Sequence, residues 1–146
     1  MKESKSEYDI QLERILAILE VDSEKKEKVD EQSLDKYLGY IKDNVVFPCI
    51  VTGIEDFEWG EFYVLGQGDE KEHEELKKTR PSFADRFEII KFYDEPDDMY
   101  GIIVEVLRLS DKKKFDLPLS DLETEKDSSR NRQLLDDYSV WFVNNR

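Results

Sequence analysis

Four carboxylates lie within five consecutive positions of the stretch "FYDEPDDMYG", which runs from Phe92 to Gly101. They are Asp94, Glu95, Asp97 and Asp98. Calcium takes about six to eight oxygen ligands at flexible geometry, so clustered carboxylates in a loop suit it. Proline, aspartate and glycine are also the residues that ordinary turns prefer. The stretch is therefore either part of a cation site or an acidic turn.

Two further acidic clusters qualify as candidate metal sites. The stretch "GIEDFEWGE" contains Glu55, Asp56, Glu58 and Glu61 in a link between two predicted strands. The stretch "LLDDY" contributes Asp136 and Asp137 on a predicted helix. None of the three clusters has the alternating aspartate and glycine spacing of an EF-hand loop.

Clustered carboxylates suit a hard divalent cation such as calcium, and the residues alone do not decide between calcium and magnesium. If the fold brings residues 55–61 and 94–98 to the same end, their carboxylates repel one another, and a divalent ion relieves that repulsion by bridging them. Binding would then also stabilise the fold. The sequence shows no preformed cage, so we expect weak to intermediate calcium affinity through Glu55, Asp56, Glu58, Glu61, Asp94, Glu95, Asp97 and Asp98.

The sequence contains none of the motifs that would make a positive case for an enzyme. His73 is the one histidine and lies among charged residues, whereas zinc sites need several Cys or His ligands at set spacings. Nucleophile elbows, phosphate-binding glycine loops and HExxH are absent. We therefore expect a protein that is not an enzyme.

The charge balance restricts the partners. The chain has 36 acidic and 22 basic side chains and a formal net charge of -14, which would repel nucleic acid and anionic membranes. Cations or basic proteins are the expected partners. No apolar run approaches the roughly 20 residues of a membrane span, and the start lacks a secretory signal, so we expect a cytoplasmic protein. Cys49, in "VVFPCIV", is expected to be a packed thiol.

Helical periodicity marks both ends of the chain. Apolar residues at helical spacing predict three amphipathic helices, with stripes at Leu12, Ile15, Leu16 and Leu19, at Leu34, Tyr37, Leu38 and Ile41, and at Leu134, Tyr138, Trp141 and Phe142. The aromatic stripe of the last helix is expected to be core, with Trp141 docking that helix on the rest of the fold. A charged linker separates the first two helices.

The middle of the chain has the period of strands. Residues 49–54, 62–65, 86–93, 101–109 and 115–119 predict five short strands and a small barrel. Pro118 cannot donate to a ladder, which puts the last strand at an edge, and "PLSDLE" predicts a turn that leaves the sheet. Asp69 and Glu72 predict the start of a short inserted helix that ends before Pro81.

From about Leu34 to the end, the order of features resembles the cyanobacterial CcbP-type calcium-binding family and its bacterial relatives. The matching parts are "YLGYIKDNVVFPCIV", "GIIVEVLRLSDKKKFDLPLSDLE" and "LLDDYSVWF". The resemblance implies a small acidic α+β protein with an SH3-like five-stranded barrel that binds calcium through surface carboxylates. We expect one domain over 1–146, in which N-terminal helices (1–46) and a C-terminal helix (125–146) flank the barrel (47–124).

The expected function is that of a small acidic calcium-binding protein with a buffering or sensing role. The alternative is an acidic interaction domain or immunity-type inhibitor that binds a basic partner. Exposed aromatic residues near the acids would then anchor the partner, namely Phe57, Trp59, Tyr93 and Tyr100. No apolar stripe is left after the core is built, which favours a monomer.

Overall fold

The structure is a computed structural model that describes residues 6–20, 28–54, 57, 69–125 and 130–146. Within these ranges the chain has an α+β fold with four α-helices and a five-stranded antiparallel sheet. The elements are α1 (Glu7–Leu19), α2 (Glu31–Asn44), β1 (Ile50–Gly53), α3 (Glu70–Thr79), β2 (Phe87–Phe92), β3 (Ile103–Arg108), β4 (Lys114–Pro118), a 3-10 turn (Leu119–Asp121), β5 (Leu122–Thr124) and α4 (Arg130–Asn144). None of these helices has the length and apolar character that a membrane crossing requires.

The helices begin where capping side chains precede apolar stripes. Ser6 and Asp30 each form a reciprocal capping box with the third helical residue, at the starts of α1 and α2. Asp69 caps α3 by accepting the N–H of Lys71 at 3.0 Å, and that helix ends before Pro81, as predicted. The predicted end of α2 at Asn44 is likewise confirmed.

The predicted apolar stripes form the core, except that Leu12 and Leu16 of α1 are only half-buried. The side chains of Leu34, Tyr37, Leu38 and Ile41 on α2 and of Leu134, Tyr138, Trp141 and Phe142 on α4 are buried in one cluster with Ile15 and Leu19 of α1. The ring of Trp141 stacks on Tyr37 at 4.9 Å, so it docks α4 against α2. Cys49 is buried as expected, and burial raises the pKa of its thiol to about 11.

Four of the five predicted strands are confirmed as β1 to β4, and the strand predicted at 62–65 lies outside the described residues. The sheet order is β4-β3-β2-β1-β5, which confirms that the strand ending at Pro118 lies at an edge. The turn predicted at "PLSDLE" is confirmed, but the prediction that it leaves the sheet was wrong. After one 3-10 turn, Leu122–Thr124 rejoins the sheet as β5, where Val51 pairs with Thr124.

The short link between the two edge strands requires a strongly coiled sheet. Five flat strands would hold their outer strands about 19 Å apart, whereas the step from Pro118 to Leu122 spans at most about 14 Å even when fully extended. The sheet must therefore curl so that its edges approach each other. Among the described residues β4 and β5 do not pair with each other, so a closed SH3-like barrel stays a prediction.

A buried arginine holds α3 on the sheet. Arg108 of β3 is 3% exposed, and its guanidinium donates to the carboxylates of Asp85 and Asp111 at 3.0 and 2.7 Å. It also donates to the carbonyl oxygens at the end of α3, those of Lys77, Lys78 and Arg80. These bonds satisfy carbonyls that the helix leaves unpaired, and they place a cation at the negative end of its dipole.

Candidate metal centre

The acidic stretch 94–98 forms the loop between β2 and β3. Within the loop, backbone hydrogen bonds join Asp97 and Gly101, which donate to each other's carbonyls at 2.7 and 2.9 Å. Gly101 has a positive φ of 71°, and a Cβ on it would lie 2.5 Å from the hydroxyl of Tyr138 and from the ring of Phe142. Only glycine fits there, so the base of the loop is held tightly against α4.

Asp97 organises the turn through its own side chain. One carboxylate oxygen accepts the backbone N–H groups of both Met99 and Tyr100 at 2.8 Å. This arrangement is an Asx turn, which aspartate favours because its short side chain reaches the backbone two residues on. The stretch 94–98 is therefore a well-formed acidic turn, which is one of the two alternatives that the sequence left open.

Asp94 meets a cation from another element. Its carboxylate forms a hydrogen-bonded ion pair with the ammonium group of Lys42, near the end of α2. The hydrogen bond and charge of Lys42 hold the pKa of Asp94 below its usual value, with a smaller contribution from Lys91. Asp94 is therefore firmly ionised, and any metal that binds it has to compete with Lys42.

The loop shares a surface cleft with the beginning of α2, here called the acidic cleft. Its walls carry six carboxylate side chains, three from each segment: Asp30, Glu31 and Asp35 at the start of α2, and Asp94, Glu95 and Asp98 on the loop. Val29, Leu34 and Pro96 line the remainder. The acids of α2 were not among the predicted ligands. Opposed carboxylates of this kind attract divalent cations and repel one another in their absence.

The carboxylates of the acidic cleft do not form a finished cage. Across the described ranges no three acidic, histidine or cysteine side chains are arranged to hold a metal ion. The side chains of Asp94, Glu95, Asp97 and Asp98 are all exposed, so solvent surrounds them. Rotations of exposed side chains are fast and have a modest entropic cost, so an ion could collect several of these oxygens by rearrangement.

A second surface on the other side of the loop joins it to the edge of the sheet. Tyr93, Asp94, Glu95 and Asp97 line it together with Asp116 of β4. The hydroxyl of Tyr93 donates to Asp116 at 2.6 Å, and this hydrogen bond is the main reason why the pKa of Tyr93 is raised to about 12. Asp116 already serves as an acceptor here, as Asp30 does in its capping box, so it is a weaker candidate ligand than the exposed acids Glu95 and Asp98.

The other predicted clusters have different outcomes. Glu55, Asp56, Glu58 and Glu61 lie outside the described residues, so their role stays a prediction. Both carboxylates of the cluster on α4 meet arginines, so they are weaker candidate ligands than the exposed acids of the loop. Asp137, 3% exposed, accepts from Arg14 at 2.8 Å, and Asp136 accepts from Arg132 at 3.0 Å. His73 is half-buried on α3 and belongs to no metal-ligating group among the described residues.

The family follows from the sequence of the second half. Residues 70–142, half of the 146-residue chain, match the CcbP family model, which is described as calcium binding. The chain belongs to the CcbP family of calcium-binding proteins. The predicted resemblance is thereby confirmed, and membership identifies calcium as the bound ion. The matched range includes the 94–98 loop and excludes α2 and residues 55–61.

Two solved structures share the fold. The crystal structure of Anabaena CcbP is 19% identical, with 98% of this chain and 96% of that chain covered at a TM-score of 0.56. A calcium binding protein in the calcium-binding form is 20% identical, with 92% and 90% covered at a TM-score of 0.56. At these identities the likeness shows the fold. No curated protein sequence matches the chain significantly.

Proposed function

We propose that the protein binds calcium in the acidic cleft, between the 94–98 loop and the first turns of α2. The observation that carries the proposal is that six carboxylates of a CcbP family member line this one cleft. The two walls are distant in sequence, so their approach is a property of the fold. Monodentate and bidentate carboxylates together with water readily supply the roughly six to eight oxygens that calcium takes.

The expected affinity is weak to intermediate, for two reasons. The ligands have to rotate into place, because they do not converge beforehand. Calcium also has to displace Lys42 from Asp94, or use the other acids while that ion pair persists. An ion bound in this way exchanges readily, which suits a buffer or a sensor better than a permanent structural metal. We assign the protein such a non-enzymatic role.

Calcium binding should stabilise the fold. Without the ion, the acids of α2 and those of the loop repel one another across the acidic cleft. A bridging ion replaces that repulsion with attraction and ties α2 to the loop, and it binds the folded state in preference to the unfolded one. The thermal midpoint should therefore rise by roughly 5–10 °C when calcium is about 100-fold above its dissociation constant.

The proposal keeps the second predicted cluster, Glu55, Asp56, Glu58 and Glu61, as further ligands. Phe57, in the middle of that link, packs against the core and lines the same groove as Tyr100. That contact supports the expectation that residues 55–61 lie at the same end of the molecule as the 94–98 loop. The proposal also includes closure of the sheet into an SH3-like barrel within a single domain, which the short link from Pro118 to Leu122 supports.

Isothermal titration of the chelator-stripped protein with calcium, in excess magnesium, tests the acidic cleft. The test variant is Glu95→Gln with Asp98→Asn, which removes two exposed charges from the cleft and no described hydrogen bond. Its matched control is Glu74→Gln with Glu75→Gln, which removes two exposed charges from α3. We expect calcium affinity to fall about tenfold or more in the test variant and to stay within about twofold in the control.

Two results would contradict this assignment. Equal calcium affinity in the test variant and the wild type would place the ion elsewhere, and the amide variant of Glu55, Asp56, Glu58 and Glu61 would then locate it. If the heat of calcium binding disappears in excess magnesium, the acidic cleft does not select calcium over magnesium. Magnesium demands near-ideal octahedral geometry, so the flexible acids of this cleft should favour the larger ion.

A further inference from the structure

An apolar groove lies beside the end of α4 and the residues that follow the 94–98 loop. We call it the C-terminal groove. Its walls come from the last turn of α4, the edge strand β4, the 3-10 turn and the residue after the loop, and its main apolar members are Phe57, Tyr100, Leu117, Pro118, Phe142 and Val143. The expectation that no apolar surface remains after the core is built was wrong here.

The apolar side chains at its rim are strongly exposed. Val143 is 64% exposed and Tyr100 is 43% exposed, and neighbouring Met99 is 65% exposed. Val143 follows the buried Phe142 on α4, so it points away from a core that is already complete. A group of large exposed apolar residues around a concave surface is typical of a binding site, because it stays hydrated until a partner covers it.

The charges around the C-terminal groove are mainly negative. Asp116 and Asp121 line it, and Asp116 also lines the surface beside the 94–98 loop, so the groove is continuous with that acidic loop. Arg146 lines it too, but this cation stacks over the ring of Phe142 at 4.9 Å and donates to the carbonyl of Met99 at 2.9 Å. With a net charge of -14, a second copy of this chain would be repelled.

The geometry favours side-chain docking over strand pairing. Pro118 ends the edge strand and lacks an N–H, and the chain turns into a 3-10 helix directly afterwards. A partner strand would find few backbone groups to pair with. A partner helix can place apolar side chains between β4 and the end of α4 and turn basic side chains toward the flanking acids. It then contacts both the apolar and the acidic part of this surface.

We propose that the C-terminal groove docks a basic amphipathic helix of another protein. Apolar residues on one face of that helix cover Val143 and Tyr100, and its lysines or arginines meet Asp116 and the acidic loop. The interaction does not require calcium, because neither wall of the groove depends on the proposed ion. Because the acidic loop also carries candidate calcium ligands, the groove is tested without calcium, so that the outcome does not depend on the acidic cleft.

The test uses synthetic peptides on the full chain in the presence of a chelator. The probe is a labelled helical peptide of about 18 residues made of leucine and lysine, and its counterpart replaces each lysine by glutamate. Fluorescence anisotropy measures binding to the wild type, to a Val143→Gln and Tyr100→Gln double variant, and to Val46→Gln. Val46 is 57% exposed and lies near the start of α4, about 20 Å from its end, so it is a matched apolar control.

We expect the basic peptide to bind the wild type and the Val46 variant equally, and the double variant about tenfold more weakly. Asp116→Asn, which keeps an acceptor for Tyr93, should weaken binding about two- to fivefold, and less at high salt. Equal affinity for all variants would show charge attraction without a groove and would overturn the proposal. So would no binding at about 100 μM peptide, equal binding of the acidic peptide, or dimerisation of the chain through Val143.

Discussion

The hydroxyl of Tyr138 accepts the backbone N–H of Ile102 at 2.9 Å in the core. Ile102 follows Gly101, which closes the acidic loop, so this bond ties the end of the loop to α4. Gly101 itself lies against Tyr138 and Phe142 with no room for a Cβ. The loop that carries the candidate calcium ligands and the helix that carries the aromatic core are therefore one connected unit.

Replacing Tyr138 by phenylalanine should destabilise the protein, because it leaves the buried N–H of Ile102 without a partner. The expected loss is about 1–3 kcal/mol in the free energy of unfolding, measured with urea. Tyr37→Phe is the control. The hydroxyl of Tyr37 is buried and has no hydrogen-bond partner among the described residues, so its removal should be neutral or stabilising. Equal losses in the two variants would contradict the role given to Tyr138.

Removing Lys42 should tighten calcium binding. In Lys42→Met the carboxylate of Asp94 loses its hydrogen-bonded cation and becomes available to the ion. Because the pair is exposed, we expect a modest gain of about two- to fivefold in calcium affinity, measured by titration against a chromophoric chelator. Lys36→Met removes the same charge from the same helix beside Glu20 and should change the affinity less than about twofold. An equal gain in calcium affinity in both variants would show that the more negative net charge, and not the release of Asp94, strengthens binding.

Two substitutions of Asp97 should distinguish its contribution to the stability of the loop from its contribution to calcium affinity. Asp97→Asn keeps an oxygen that accepts the N–H groups of Met99 and Tyr100, so the free energy of unfolding should hardly change. Asp97→Ala removes that acceptor and should cost about 1 kcal/mol. Asp97 is a ligand predicted from the sequence that does not line the acidic cleft, and calcium affinity should fall in both variants if it coordinates the ion. If the asparagine variant binds calcium as the wild type does, Asp97 organises the turn without being a ligand.

The helices and most strands could be predicted because their signals are local. Leu34 to Ile41 has the spacing of one helical face, and Asp69 and Pro81 mark the two ends of α3. The strand β5 was missed because it has three residues, Leu122–Thr124, which is too short for an alternating pattern. Its place depends on pairing with β1, a contact that the sequence alone does not reveal.

The candidate site was predicted in part for a related reason. Carboxylate density marked the loop, but charge pairing depends on which elements approach each other in the fold. Lys42 neutralises Asp94 from 52 positions away, and Arg14 neutralises Asp137 from 123 positions away. In the sequence, the acids at the start of α2 belong to a charged segment without a metal-site pattern. In the fold, they line the same cleft as the acids of the loop. The family resemblance predicted that the ion is calcium, a choice that the types and spacing of the residues had left open.

The pair Arg108 and Asp111 should give the protein an acid-dependent stability. The guanidinium of Arg108 lowers the pKa of Asp111 to about 2, whereas an unperturbed aspartate has a pKa of about 3.9. A depressed folded-state pKa contributes stability above the unfolded value, and that contribution is lost as the pH falls through the folded value. The difference in unfolding free energy between the wild type and Asp111→Asn should therefore be constant from about pH 7 to 5 and shrink between about pH 4 and 2.

Urea unfolding across that pH range measures the difference directly. Comparing two chains that differ at one residue cancels the titration of the other acids, which dominates the behaviour of so acidic a protein. Glu74→Gln, at a side chain that is 71% exposed, is the control and should show a small difference at every pH. A difference for Asp111→Asn that stays constant down to about pH 2 would mean that this carboxylate does not stabilise α3 on the sheet through its charge.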